Sequence, residues 1–430
     1  MSKKAEDSAA RVEKHLLTPS SPWFSTIAGF CHLAKNLYNH ANYIVRNKFI
    51  KDNYWTRYDE LDEMLKHDLE YPDYRAMPTA QSAQQTLRLL DKNWKSFFAS
   101  IKEWKTHKEK YLGRPRLPKY KKKKDGLSIL VMTNQNCKFV DGRIKFPKAF
   151  GGFEVVPEFS SLPVDENEAK KTGETRIFSS FQQVRFVPRG AYIVMEIVYT
   201  IKPAAKQEDN GRYAGIDIGV DNLIAMATNT DDAPLLIRGR YAKSANRLYN
   251  KELAYWRSVC MMTANKHSSA RVNMISAKRK RRIDDCMHKA SRIVVDECVN
   301  RGISTIVIGK NKEWKQESKL SKRVNQNFVQ LPFARLIQMI QYKASEKGIA
   351  VVLTEESYTS GTSFLDGEIP SKANYDKSRR VHRGLFKAND GRLINADVNG
   401  AFQILRKVFP NVSADGIEGV VLRPVVVVAA

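Results

Sequence analysis

The sequence predicts a multidomain α/β protein with a helical N-terminal part, a small β-rich middle and a longer part in which strands and helices alternate. Three observations carry this. From Trp23 to Trp104 apolar residues recur at three and four positions, the helical period. Residues 127–202 hold short alternating runs bounded by turn residues. Beyond residue 210, apolar strand-like runs alternate with long helical ones. A chain of 430 residues, 42% hydrophobic, is long enough for more than one core.

Charge narrows the partners. Lys plus Arg number 72 against 46 Asp plus Glu, a formal charge of +26. Such an excess points to a polyanion, because each phosphate neutralised releases a counterion. Anionic membrane is the competing partner. No apolar run reaches the roughly 18 residues a span needs. The apolar segment 420–430 is short and interrupted by Arg423 and Pro424, and Met-Ser-Lys-Lys-Ala-Glu-Asp is no signal peptide. A soluble intracellular protein is expected. The five cysteines, Cys31, Cys137, Cys260, Cys286 and Cys298, include no Cys-x-x-Cys pair, so neither a disulfide framework nor a zinc ribbon is encoded. Cys286 and His288 lie in a helical pattern without a matching second pair, and core packing is the expectation there.

In chain order, Trp23, Ile27, Phe30, Ala34, Leu37, Ala41, Ile44 and Val45 form one long apolar stripe. A second helix starts near Pro78 and runs through Ala83, Leu87, Leu90, Trp94, Phe97, Ile101 and Trp104. Between them the aromatics Tyr54, Trp55, Tyr58, Tyr71 and Tyr74 are assigned to the core rather than to base stacking. Residues 113–124, Gly-Arg-Pro-Arg-Leu-Pro-Lys-Tyr-Lys-Lys-Lys-Lys, are basic without an acid and stiffened by two prolines. They read as a phosphate-binding connector through Arg114, Arg116, Lys119, Lys121, Lys122, Lys123 and Lys124. The segments after it, 127–132, 143–146, 153–156, 184–187 and 192–200, describe a small β-barrel or sandwich.

After a polar linker at 202–210, residues 213–229 read as strand, tight turn and returning strand. Asp217 lies between Ile216 and Ile218, with Gly219 turning the chain. A carboxylate in such a strand is costly unless it is paired or binds a cation. A third strand covers 235–238, and a long helical stretch covers 242–301. The latter carries Lys278, Arg279, Lys280, Arg281 and Arg282 consecutively, a second expected nucleic-acid contact. A buried strand at 304–309, an amphipathic helix through Phe333 and Ile340, another buried strand at 349–354 and a last amphipathic helix over 394–405 follow. Asp397 opens that helix. Strand hairpin, third strand, helix, strand, helix, strand, helix is the order of an RNase H-like fold. Its chemistry needs three carboxylates, which hold two Mg²⁺ about 3.5–4 Å apart for phosphodiester hydrolysis.

Gly-Ile-Asp-Ile-Gly at 215–219, Ile-Val-Ile-Gly-Lys-Asn-Lys-Glu-Trp-Lys-Gln at 306–316, Glu-Ser-Tyr-Thr-Ser at 356–360 and Asn-Ala-Asp-Val-Asn-Gly-Ala at 395–401 together resemble the RuvC motifs of the TnpB family. These transposon-encoded proteins, also called OrfB, are related to type V CRISPR effectors and eukaryotic relatives. The resemblance implies a helical recognition domain at 1–110, a connector and β-barrel wedge at 111–203 whose barrel the first residues are free to join, and a RuvC nuclease at 204–430. It further implies an RNA-guided DNA endonuclease. A guide RNA encoded near the transposon end would pair with double-stranded target DNA beside a short flanking motif, with Mg²⁺ or Mn²⁺ as cofactor.

Two departures from the family follow. Most members end the strand at 306–309 with a catalytic Glu; here Gly309 stands there, with no acid before Glu313. Glu355 and Glu356, after the next strand, offer a relocated carboxylate. Glu356 is chosen by its place before Tyr-Thr-Ser, with Glu355 as the alternative, since strand neighbours face opposite ways. The second departure is the zinc ribbon usual in the family. Residues 362–393 contain no cysteine, so a zinc-free insert at about 361–393 is expected. Its Arg379, Arg380, His382, Arg383 and Lys387 would face the DNA strand being cut, Arg383 foremost. The reading is therefore a nuclease using Asp217, Glu356 and Asp397, in the cytoplasm with the nucleoid, or in the nucleus of a eukaryote. The alternatives are a nuclease-dead RNA-guided DNA binder acting as a repressor and a guide-independent nuclease.

Overall fold

The computed structural model describes residues 8–123, 126–310, 329–382, 384–413, 419 and 423–429. It divides into two units, Met1–Lys202 and Pro203–Ala430. Glu313, Lys124, Arg383 and the end of the motif at 306–316 lie outside the described residues.

The first unit opens with β1 (Ala9–Leu17), followed by α1 (Phe24–Asp52), α2 (Tyr58–Lys66) and α3 (Ala80–Thr106). The two long apolar stripes are the inner faces of α1 and α3, and a capping box at Thr79 and Ser82 starts α3. Of the interhelical aromatics, Tyr74 is buried and Trp55 and Tyr58 pack on the core, whereas Tyr54 and Tyr71 are exposed. The β-rich part comprises β2 (Leu130–Thr133), β3 (Lys138–Val140), β4 (Arg143–Lys145), β5 (Glu154–Val155), a short α4 (Glu166–Thr172), and the long hairpin β6 (Ile177–Pro188) and β7 (Ile193–Lys202). It is built from two sheets, an antiparallel one in the order β1-β7-β6-β2 and a small one of β3-β4-β5. β1 pairs with β7 without interruption from Ala9↔Ile201 to Leu17↔Ile193, so the N-terminal segment belongs to the sheet.

The second unit begins with β8 (Tyr213–Asp217), β9 (Asn222–Thr228) and β10 (Leu235–Arg238). The helical stretch expected over 242–301 is two helices, α5 (Arg240–Ala264) and α6 (Ala270–Asn300). Asn265 in the left-handed region ends the first, and the Ser269 side chain caps the second. β11 (Thr305–Gly309), α7 (Phe333–Glu346), β12 (Ala350–Thr354), β13 (Arg380–His382), β14 (Leu385–Lys387), β15 (Leu393–Asn395), α8 (Ala396–Val408) and β16 (Val425–Val428) complete it. The main sheet runs β12-β11-β8-β9-β10-β16. β9 is antiparallel to β8 and β10, and the other pairs are parallel.

This arrangement has the strand order of an RNase H-like domain, with two corrections to the sequence reading. β12 is an edge strand rather than a buried one, with Val352 and Leu353 37% and 41% exposed. The apolar segment near the C-terminus adds β16 to the opposite edge. One sheet face packs Ala214, Ile216, Met226 and Ile237 against α6 and α7. The other packs Ala225, Ala227, Leu236 and Val307 against α8. α8 is buried on nearly every side between this face and the insert, so it is not the one-faced amphipathic helix expected.

Candidate active site

Asp217 ends β8 on the face that α8 covers. Two glycines set the distance. A Cβ on Gly215 would lie 2.2 Å from the Ala401 carbonyl oxygen, and one on Gly400 would lie 2.8 Å from Asp217 Oδ2. Only bare backbone on both elements lets the helix rest against the strand and leaves room for the carboxylate. Asp397 occupies the first turn of α8, where the Asn395 side chain accepts hydrogen bonds from its N–H (3.0 Å) and from that of Val398 (3.2 Å). Asn222 Nδ2 donates to Asp397 Oδ2 at 2.7 Å. Sequence reasoning passed over Asn222, whose only signal was its place at the end of the tight turn after Asp217.

Gly309 and Asp217 end neighbouring parallel strands, each one residue beyond the Ile308↔Ile216 pair. A Cβ on Gly309 would lie 2.6 Å from Glu356 Cγ, 2.9 Å from Glu356 Oε1 and 2.6 Å from Ile404 Cδ1. The Glu356 side chain therefore fills the space that a side chain at 309 would take. The Thr359 hydroxyl and N–H both donate to the Glu356 carbonyl, at 2.8 and 3.2 Å, and fix the turn. Tyr358 within it has φ +67°, a strained value for a bulky residue. Glu355 points the other way. It is exposed and accepts from the Ser357 hydroxyl at 2.8 Å.

The carboxyls repel one another. Burial, and next the Asp397 carboxylate, push Asp217 up to about 7, with partial relief from the Arg380 guanidinium and the Ile218 N–H. Burial, and next Asp217, push Glu356 up to about 8, opposed by Lys407. Both shifts disfavour the charged forms, and a cation among these oxygens would reverse them. Among the described residues no three acidic, His or Cys side chains are drawn together as a ready cation cage. Asp217 is the hub, coupled to Asp397 on one side and to Glu356 on the other.

The insert is held by charge. Arg379 donates to both Glu368 carboxylate oxygens, at 2.7 and 2.9 Å, and also pairs with Asp366. It lies over the Phe386 ring at 5.1 Å. Asp366 also accepts from the Asn389 N–H, and Glu368 from the Ser363 N–H. Arg379 is thus half-buried structural material, whereas Arg380, His382 and Lys387 are exposed. All five cysteines are free and buried.

The basic connector is a strap along α1. Lys35 Nζ donates to the Lys123 carbonyl (2.9 Å), Asn39 Nδ2 to Lys121 (3.0 Å), and Asn42 Nδ2 and Arg46 Nη1 to Pro118 (3.1 and 3.0 Å). These four donors occupy one stripe of the helix. With the backbone tied down, Arg114, Arg116, Lys119, Lys122 and Lys123 point outward, while Lys121 is half-buried over the Tyr38 ring. On α6, Lys278, Lys280 and Arg281 are exposed and Arg282 is half-buried. Arg279 turns inward, with Nε donating to Asn246 Oδ1 and Nη2 to the Gln330 carbonyl, both at 2.7 Å. It secures α5 and α6, so its guanidinium is engaged in packing rather than held out to a ligand. Among the described residues no helix is long and apolar enough to cross a membrane.

Residues 196–315 match the OrfB_IS605 family, described as a probable transposase, and residues 333–404 match the Cas12f1-like TNB domain. A TnpB-like protein of Acidianus two-tailed virus is 24% identical over 87% of this chain and 81% of its own length. The CRISPR-associated endodeoxyribonucleases Cas12f1 of Sulfoacidibacillus thermotolerans and Cas12f2 of a Micrarchaeota archaeon are 26% and 25% identical, over 51% and 63% of this chain. The chain spans about half the length of those two relatives, 50% and 54%. A solved structure of a Cas12f1–sgRNA–target DNA complex superposes with a TM-score of 0.51 at 15% identity, covering 88% of this chain and 81% of that one, which establishes a shared fold. Motifs, family models over two segments, a relative matched over most of its length and fold all agree in making the chain similar to the TnpB-like OrfB and Cas12f proteins.

Proposed function

We propose that this protein is an RNA-guided, divalent-metal-dependent DNA endonuclease whose site is Asp217, Glu356 and Asp397. The observation that carries the reading is the Glu356 side chain lying in the space over Gly309, beside Asp217. The common acidic position on β11 is empty of a side chain, and a glutamate from the loop after β12 fills it. The donor set is all carboxylate oxygen, which suits Mg²⁺ or Mn²⁺, and the buried Asn222 Oδ1 beside Asp397 is a further oxygen suited to a hydrated cation. Cations held there would supply an activated water and charge for the leaving 3′ oxygen. Asp217 would be the shared ligand, with Glu356 and Asp397 flanking it. Lys407 and Arg380 keep positive charge beside the carboxylates where the scissile phosphate would come.

Guide RNA and target DNA are the partners this reading requires. The strap at 113–123 favours that assignment because its backbone is fixed and its cations face outward. Residues 240–282 of the second unit carry twelve Lys or Arg and one acid, Glu252, which suits a polyanion equally. We assign 1–110 to recognition, 111–203 to the wedge and 204–430 to the nuclease, with 361–393 as its zinc-free insert. The nuclease-dead alternative draws on Gly309, and Glu356 in its space argues against it. The test is a cleavage assay with the RNA that copurifies with the protein and a matching duplex. Asp217→Ala, Glu356→Ala and Asp397→Ala should each abolish cutting and leave target binding intact, while Glu355→Ala should be mild.

A further inference from the structure

Asn222 is set onto the carboxylate face by a deliberate break in β9. Along that strand Ala225 and Ala227 face α8, while Met226 and Ile224 face α6 and α7. Strict alternation would send Leu223 toward α8 and Asn222 away from it. Instead β10 pairs Ile237 with Ile224 and then Arg238 with Asn222, one residue against two. This bulge leaves Leu223 and Ile224 both in the α6–α7 core and turns Asn222 to the side of Asp217 and Asp397. The turn before it is tight, since a Cβ on Gly219 would lie 2.8 Å from the Asn222 carbonyl oxygen.

The amide is 5% exposed. Its orientation is dictated by charge, because only the NH₂ end can meet the Asp397 carboxylate, at 2.7 Å, without repulsion. That leaves Oδ1 on the other side, buried and without a hydrogen-bond partner among the described residues. A buried acceptor left open costs about 1–3 kcal/mol. Its placement beside the carboxylates is explained if a donor arrives only with the ligand.

We propose that Asn222 is a positioning residue of the metal centre, fixing the Asp397 carboxylate through Nδ2 and accepting from a cation-bound water through Oδ1. The inference rests on the nuclease reading and adds to it a residue outside the acidic set. Outer-shell partners of this kind change metal affinity by about 10–100-fold.

The test is Mn²⁺ binding to the full-length RNA complex, followed by electron paramagnetic resonance, with the Asp217→Ala complex as background for ions on the RNA. Asn222→Leu keeps the volume and removes both polar ends. It should weaken the site-specific Mn²⁺ affinity by about 10–100-fold and leave the metal-free melting temperature near that of wild type, since losing the hydrogen bond to Asp397 and losing the open buried acceptor offset one another. Asn222→Ser, which keeps one small donor and acceptor, should fall between Leu and wild type. In cleavage, the Mg²⁺ concentration for half-maximal rate should rise more than kcat falls. Wild-type Mn²⁺ affinity in Asn222→Leu, or a loss of affinity matched by a loss of metal-free stability, would overturn the proposal. If wild type and Asp217→Ala bind Mn²⁺ alike, the nuclease reading fails and this inference with it.

Discussion

Replacing Gly309 by Glu installs the residue that the TnpB resemblance implies there, yet in the wild-type background it is expected to be harmful. The new Cβ would stand 2.6 Å from both Glu356 Cγ and Ile404 Cδ1, closer than packed carbon atoms approach. Overpacking of this kind costs about 1–3 kcal/mol. A unit of this size loses roughly 2–4 °C per kcal/mol, so a fall of roughly 2–12 °C in melting temperature is expected. Glu356→Ala alone relieves two crowded carboxylates and should fold at least as well as wild type, but it removes a proposed metal ligand. If that ligand is worth about 4 kcal/mol to the transition state, cleavage falls about a thousand-fold. Glu356→Ala with Gly309→Glu puts a carboxylate back into the same space from the neighbouring strand. It should recover part of the melting temperature lost by Gly309→Glu, since the Ile404 contact stays, and regain at least tenfold of the activity lost by Glu356→Ala. The assays are thermal unfolding and single-turnover cleavage of a labelled duplex. A Gly309→Glu variant as stable and active as wild type would refute the shared-space argument. A double variant that folds but is no more active than Glu356→Ala would refute the exchange of roles.

The raised carboxyls make metal-free stability depend on pH. With Asp217 at about 7 and Glu356 at about 8, the folded state keeps protons that the unfolded chain releases near pH 4. Stability should therefore fall as pH rises from about 4 to about 8; Mg²⁺ should raise the melting temperature more at pH 8 than at pH 6, and Asp217→Asn should flatten the metal-free profile. In the strap, Asn42→Ala strands the Trp94 indole N–H, which donates to Asn42 at 3.1 Å, while Arg46 still serves the Pro118 carbonyl. About 1–3 kcal/mol of stability should be lost for that stranded donor, whereas changing Lys119, Lys122 and Lys123 to Ala should leave stability level and flatten the salt slope of RNA binding by about 0.7–0.9 per lost contact. Arg379→Ala would leave Asp366 and Glu368 with an uncompensated buried charge, a loss of about 3–5 kcal/mol, seen as proteolysis within 361–393. Metal analysis of the wild type should find no stoichiometric zinc.

What could be read from the sequence was set by local pattern. The stripes of α1 and α3, the β8–β9 hairpin with Asp217 and the placement of Asp397 at a helix start all rest on neighbours along the chain. Alternation lets only one of Glu355 and Glu356 face Asp217, the place before Tyr-Thr-Ser favours Glu356, and the fold supplies the reason in the volume over Gly309. That the first residues join the barrel follows the resemblance, but their register against β7 was not legible, because the paired residues lie far apart in sequence. β12 has the composition of a core strand and lies at an edge, a fact of sheet order rather than of its own residues. The break between α5 and α6 was overlooked although Asn265 and Ser269 signal it. Within the basic run at 278–282, the inward turn of Arg279 depends on Asn246 and Gln330, which no charge pattern reveals. The Arg379 hub and the bulge at Asn222 likewise depend on contacts between distant residues.

The central claim is tested most directly by giving the purified wild-type protein, with its copurified RNA, a matching DNA duplex in Mg²⁺. The expected result is cutting of the duplex by the wild type and equal binding without cutting by Asp217→Ala. Tight, RNA-dependent binding of the duplex by the wild type with no cleavage in either Mg²⁺ or Mn²⁺ would contradict the account and leave a guided DNA binder in its place.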